Sequence, residues 1–193
     1  MASKREELVR HLRDNCLEYR EEPFELSSGA LSHWFCDGKR ALAQGHHLAL
    51  ACNAMTEAMS EREVGFDSVG GMTMGADQFA HGIAVLCDTK WFVVRKQPKG
   101  RGTDKLIEGA RLDESSRVLM VEDVVTTGGS MLKAVDVVRA TGATIVAATA
   151  LIDRGSGLAE RFRSENITYL PLATNDDLGI PAIGEEAARS GSR

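Results

Sequence analysis

Apolar residues in this chain alternate between short continuous runs and stripes at helical spacing. The clearest run is Val118-Leu119-Met120-Val121, which ends in Glu122 and Asp123 and passes through Val124-Val125 into Thr126-Thr127-Gly128-Gly129-Ser130. An uninterrupted apolar run predicts a strand buried on both faces. Met131 to Arg139 then repeats its apolar residues at helical spacing, so the two acids and the glycine-rich turn fall between a strand's carboxyl end and a helix.

The same alternation recurs along the chain. Lys4 to Arg20 carries Leu8, Val9, Leu12, Cys16 and Leu17 on one stripe and predicts an amphipathic helix. Pro23 to Gly29 should turn the chain, and Leu31 to Cys36 should be a short extended segment, in the plainest case a hairpin at a sheet edge. Gln44 to Met59 predicts a second helix, on which His46 and His47 should face different directions as surface residues. Phe66 to Gly71 predicts a strand, Met72 to Asp77 a loop, Gln78 to Leu86 a helix and Trp91 to Val94 another strand. After the central unit, Thr144 to Ile152 predicts a second buried strand and Asp153-Arg154-Gly155-Ser156-Gly157 its end loop. Leu158 to Glu165 predicts a helix, and Ile167 to Leu172 an edge strand, which Pro171 suits. The tail from Ile183 to Arg193 should fray. Strands alternating with helices predict an α/β fold with a mainly parallel central sheet flanked by helices.

Composition narrows the class. At 193 residues one domain, 1–193, is the default. A net charge of -5 argues against broad binding of nucleic acid or an anionic membrane, so any basic site is local. Cys16, Cys36, Cys52 and Cys87 form no Cys-x-x-Cys pair, which predicts reduced thiols rather than a zinc site or disulfides. With no leader pattern and no apolar run of spanning length, the expectation is a cytoplasmic protein without a membrane segment.

The central turn is where chemistry concentrates. Thr126, Thr127 and Ser130 offer hydroxyls, Gly128 and Gly129 let backbone amides approach an anion, and the helix N-terminus adds partial positive charge. That is a cradle for a monoester phosphate. Glu122 and Asp123 can accept hydrogen bonds from a vicinal diol or help hold a phosphate-bound metal. Acids and cradle together describe a phosphorylated ribose. A second concentration of charge, Arg95-Lys96-Gln97-Pro98-Lys99-Gly100-Arg101, has few apolar anchors and predicts an exposed, mobile loop over about 95–109.

Residues 118–130 resemble the 5-phosphoribosyl 1-pyrophosphate (PRPP) motif of the type I phosphoribosyltransferases. Phe24-x-Leu26-x-Ser28-Gly29, the Gly70 to Gly75 loop, Arg95-Lys96-x-x-Lys99-x-Arg101-Gly102, Ile107-Glu108-Gly109 and Asp153-Arg154 extend the resemblance to the orotate-using branch, over about Leu8 to Leu178. The resemblance implies that fold with a small N-terminal hood at about 20–40, and PRPP and orotate as substrates with Mg2+ held mainly through PRPP. It implies PRPP binding by Arg95, Lys96, Lys99, Arg101, Glu122, Asp123, Val124, Val125, Thr126, Thr127, Gly128, Gly129 and Ser130. Lys99, Arg101 and Asp123 would be catalytic, and Thr126, Arg154 and Phe35 would hold orotate. It also implies a homodimer in which each basic loop closes over the neighbour's site.

Physical chemistry is consistent with those roles. A departing diphosphate gathers negative charge while the ribose turns positive, so cations are needed at one end and carboxylates near the other. Three positions depart from the family pattern: Ser27 and Met74 stand where many members carry lysine, and Arg101 where histidine is usual. Arginine keeps its charge at every working pH and cannot act as a titrating donor. Two other readings stay open: a related transferase acting on another base, and a PRPP-sensing regulator without chemistry.

Overall fold

A computed structural model of the chain describes residues 2–26, 29–98 and 105–183. The chain begins with α1 (Lys4–Asn15), β1 (Leu17–Glu25), β2 (Leu31–Cys36), α2 (Gly38–Ala41) and α3 (Gly45–Ser60). It continues through β3 (Ser68–Met72), α4 (Asp77–Cys87), β4 (Lys90–Val94), β5 (Ile107–Gly109), β6 (Arg117–Val125) and α5 (Gly129–Arg139). It ends with β7 (Thr144–Asp153), α6 (Leu158–Ser164), β8 (Thr168–Tyr169), β9 (Ala173–Thr174) and α7 (Asn175–Leu178).

The large sheet runs in the order β5-β4-β3-β6-β7-β8, with β9 also on β7. Every pairing in it is parallel except β4 with β5. This is the α/β architecture that the alternating pattern predicts. The all-apolar run of β6 is explained by helices on both sides. Leu119 and Val121 join the core built with α1, α3 and α4, whereas Val118, Met120 and Val125 join the core built with α5 and α6. Phe79, Phe92 and Phe162 are fully buried, each contributing about 1.5–3 kcal/mol from removal of apolar surface from water. The parallel strands β3, β4, β6 and β7 all point their carboxyl ends to one edge, the usual place for a ligand in such a sheet.

Several boundaries differ from the expectations. The first helix stops at Asn15 instead of Arg20, and Leu17–Glu25 is a strand. Its start is well marked, since Ser3 and Glu6 form a capping box. Its end is set by tertiary pairing: the Asp37 N–H donates to the Cys16 carbonyl at 2.8 Å, and Leu17 then pairs with Cys36. Pro23 therefore lies in a strand, within the irregularity in register between Tyr19 and Phe24. The hairpin β1-β2 is a separate two-stranded sheet and does not extend the large one. The expected edge strand over 167–172 shrinks to Thr168–Tyr169, with Pro171 outside it and Ala173–Thr174 making a second short pairing to β7. His46 and His47 do not diverge: their rings lie 3.9 Å apart, and His11 of α1 stacks on His47 at 3.7 Å. Packing of α1 on α3 brings His11 there, where its Nε2 bonds the Ala41 carbonyl at 2.7 Å. Among the described residues no helix is long and apolar enough to cross a membrane.

Candidate active site

At the carboxyl edge of the sheet lies a cleft of about 780 Å³. Its floor is the end of β6 and the turn that follows, from Glu122 through Val125, Thr126, Thr127, Gly128 and Gly129 to Ser130. Arg95, Lys96 and Glu108 line one side. The structure thus gathers into one cavity the acid pair, the hydroxyl and glycine cradle and the first two cations of the basic segment. Lys99 and Arg101 lie outside the described residues, as does Ser27.

The cradle owes its form to Gly128. This residue is the N-cap of α5 with φ 77° and no side chain to cap the helix, so the first-turn amides face the cleft and can hold an anion. The position admits only glycine, because a Cβ there would stand 2.5 Å from the Leu158 side chain.

The acids are packed tightly. Glu122 is buried, its Oε1 accepts the Asp123 N–H at 3.2 Å, and Asp123 Oδ1 accepts the Val124 N–H at 2.7 Å. Burial, reinforced by the neighbouring Asp123 charge, pushes Glu122 up to about 8. Near neutrality Glu122 therefore holds a proton and can donate, while Asp123 Oδ2 is ion-paired with Lys39. Gly75, in the loop after β3, presses on both acids: a Cβ there would fall 1.8 Å from Glu122 Oε1 and 2.7 Å from Asp123 Oδ1. Arg95 pairs with Glu108 at 3.5 Å on the opposite wall.

Arg154 is placed differently. It is 2% exposed and does not line the cleft. Its Nη1 donates to the Trp34 carbonyl at 2.9 Å and its Nη2 to Ser32 Oγ at 3.2 Å, so its fork engages strand β2 of the hairpin. The loop that carries it is pinned by Asp153, whose Oδ1 accepts the Gly155 and Ser156 amides at 2.9 and 2.8 Å. Asp153 Oδ2 accepts the Ser156 and Tyr169 hydroxyls at 2.9 and 2.8 Å. Phe35 is also outside the cleft lining, edge-on to Phe24 at 5.8 Å and 5.0 Å below the Arg20 guanidinium.

Several cleft residues escaped the site expected from sequence, among them Lys39, Gly75 and Glu108. Gly75 and Glu108 stood only in matched stretches. Lys39 had one local signal, the Asp37-Gly38 turn that starts α2, and its partner lies 84 residues away. Among the described residues no three His, Cys, Asp or Glu side chains gather to hold a metal. Two adjacent carboxyl groups stand near the cradle, enough to help hold a Mg2+ whose remaining oxygens would come from substrate phosphates and water.

Residues 41–167 match the phosphoribosyl transferase domain family. The chain is 41% identical over 175 residues to the orotate phosphoribosyltransferase of Aquifex aeolicus (strain VF5), covering 88% of this chain and 94% of that one. It is 35% identical to the orotate phosphoribosyltransferase of Pyrococcus furiosus over 90% of this chain and 94% of that one. The crystal structure of Mycobacterium tuberculosis H37Rv orotate phosphoribosyltransferase in complex with PRPP superimposes with a TM-score of 0.75 at 33% identity, covering 92% of this chain and 100% of that one. The fold is that of the type I phosphoribosyltransferases, and the chain belongs to the phosphoribosyltransferase family, among the orotate phosphoribosyltransferases.

Proposed function

We propose that the chain transfers the ribosyl phosphate of PRPP to orotate, giving orotidine 5'-monophosphate and pyrophosphate in the making of pyrimidine nucleotides. One observation carries this reading: the carboxyl pair and the phosphate cradle line one cleft with Arg95 and Lys96. The M. tuberculosis relative with this fold was crystallised with PRPP.

In the reaction the bond from C1 of the ribose to the diphosphate oxygen breaks, its electron pair leaving with pyrophosphate, and N1 of orotate bonds to C1 as the N1 proton passes to pyrophosphate or water. The 5'-phosphate sits on the amides and hydroxyls of Thr126, Thr127, Gly128, Gly129 and Ser130. Glu122, protonated, and Asp123 hold the ribose diol, and the Asp123 charge faces the sugar as it turns cationic. Arg95 and Lys96, with Lys99 and Arg101 of the basic loop, neutralise the departing diphosphate, and loop closure keeps water from PRPP. Arg154 and Thr126 serve the base, with the backbone around Phe35. Mg2+ would be held mainly through PRPP, with Asp123 the nearest ionised carboxylate, and would supply positive charge at the leaving group.

We further propose that the chain works as one catalytic unit, 1–193, in the cytoplasm, as a homodimer with the basic loop reaching the neighbour's site. Exposed apolar side chains support association: Met74 at the cleft mouth is 70% exposed and Val85 on α4 is 85% exposed. Trp91 is also exposed, against His81 one turn before Val85. A panel of bases incubated with purified protein, PRPP and Mg2+ tests the substrate. Orotate should be consumed, whereas turnover of adenine, hypoxanthine or uracil with orotate untouched would overturn the reading.

A further inference from the structure

Both carboxylate oxygens of Asp123 are in use. Oδ1 accepts the Val124 N–H at 2.7 Å, and Oδ2 takes the Lys39 ammonium. Lys39 is held there by construction. Asp37 caps α2 by accepting the Arg40 N–H at 2.9 Å. Gly38 lies so close to β7 that a Cβ on it would meet Leu151 Cδ2 at 2.8 Å. The Lys39 side chain is 49% exposed and lines the cleft with the acids and the cradle. It stands at the foot of the hairpin, three residues after β2 ends, whereas Arg95 and Lys96 come from the end of β4.

A fixed pairing conflicts with the chemistry. An ammonium left on Asp123 offsets the negative charge that a cationic ribose needs, and it occupies lone pairs that a ribose hydroxyl would use. Lysine has a flexible four-carbon stem and three donors, so it can change partner without moving its helix. The two oxyanions beside C1 are the first phosphate of the diphosphate and the carboxylate of the base. Lys39, released from the acid that holds the diol, remains a cation lining the same cleft. Resting on the transfer reaction above, we propose that Lys39 is a substrate-binding residue that exchanges Asp123 for one of these oxyanions when the ribose diol takes the carboxylate.

The test compares wild type with Lys39→Ala and Lys39→Arg. PRPP affinity is measured calorimetrically with Mg2+ and no orotate, orotate KM and kcat by steady-state kinetics, and melting temperature as a fold control. The Lys39 end of the ion pair is half-exposed, so the pair contributes little to folding and the melting temperature should stay within a few degrees. If the phosphate is the acceptor, Lys39→Ala weakens PRPP binding by about five- to thirtyfold, the range of a charge-assisted hydrogen bond discounted for exposure. If the orotate carboxylate is the acceptor, PRPP binding holds and orotate KM rises by that factor. Lys39→Arg should recover most of either loss. Unchanged values for both substrates, tighter binding of PRPP, or a fall in kcat alone would overturn the inference. Wild type supplies the separation: failure to turn over orotate sinks the transfer reading, while an active wild type matched by Lys39→Ala sinks only the role of Lys39.

Discussion

The Arg154 guanidinium donates to the Trp34 carbonyl at 2.9 Å across 120 residues of sequence, joining the loop after β7 to the hairpin strand β2. A buried arginine whose fork engages that strand couples any base-binding role to hairpin position. Arg154→Ala should raise orotate KM about tenfold or more while PRPP affinity changes little. It should also lower stability by about 1–3 kcal/mol, because the Trp34 carbonyl and the Ser32 hydroxyl lose a buried donor. Orotate KM, PRPP affinity and a melting curve check this, and equal weakening of both substrates would contradict it.

Glu122 gives a pH signature. Burial and the Asp123 charge raise it from its ordinary 4.5 to about 8, so the folded protein binds this proton more tightly than the unfolded chain. Its stabilising effect is full below about 4.5 and is lost as pH rises through 8. Glu122→Gln cannot ionise and keeps an oxygen for the Asp123 amide. Relative to wild type, its melting temperature should climb between pH 5 and pH 8 and level off above that. Parallel curves over that window would show that Glu122 ionises without penalty.

Strand β6 and its turn were legible because a strand buried on both faces must be continuously apolar, and the polar break at Glu122-Asp123 falls in its last four residues, just before the turn. The β1 strand was hidden for the opposite reason. Leu17 continues the stripe of Leu8, Val9 and Leu12, and only the pairing with Cys36, nineteen residues on, ends the helix. Lys39 against Asp123 and His11 against His47 are contacts between distant segments, which no local period encodes. The short β9 and α7 went unseen because two- and four-residue elements carry too little pattern to register.

Gly75 should tolerate nothing larger. A methyl group there overlaps Glu122 Oε1, which is buried and cannot swing away without moving the acid pair. Gly75→Ala should therefore cut PRPP affinity and turnover by about tenfold or more, the cost of misplacing groups by an ångström, while the chain still folds. Isothermal titration with PRPP beside a circular dichroism melt checks both halves. Normal affinity in a folded variant would show that the acids yield freely.

If the basic loop acts on the neighbouring subunit, two separate lesions should complement. Lys99→Ala damages the loop, and Asp123→Asn damages the cleft. Under subunit exchange about half the dimers are mixed, each with one site free of both lesions, so activity should return to about a quarter of wild type. A mixture shown to exchange subunits that stays as inactive as its parents would place each loop over its own site.

The most direct measurement follows orotate absorbance and released pyrophosphate together, with purified protein, PRPP and Mg2+. Transfer to orotate requires that orotate disappear only when PRPP is present, one pyrophosphate appearing for each orotate consumed, and that Asp123→Asn slow both equally. Pyrophosphate released with orotate unchanged, or no turnover by folded wild-type protein that still binds PRPP, would contradict it.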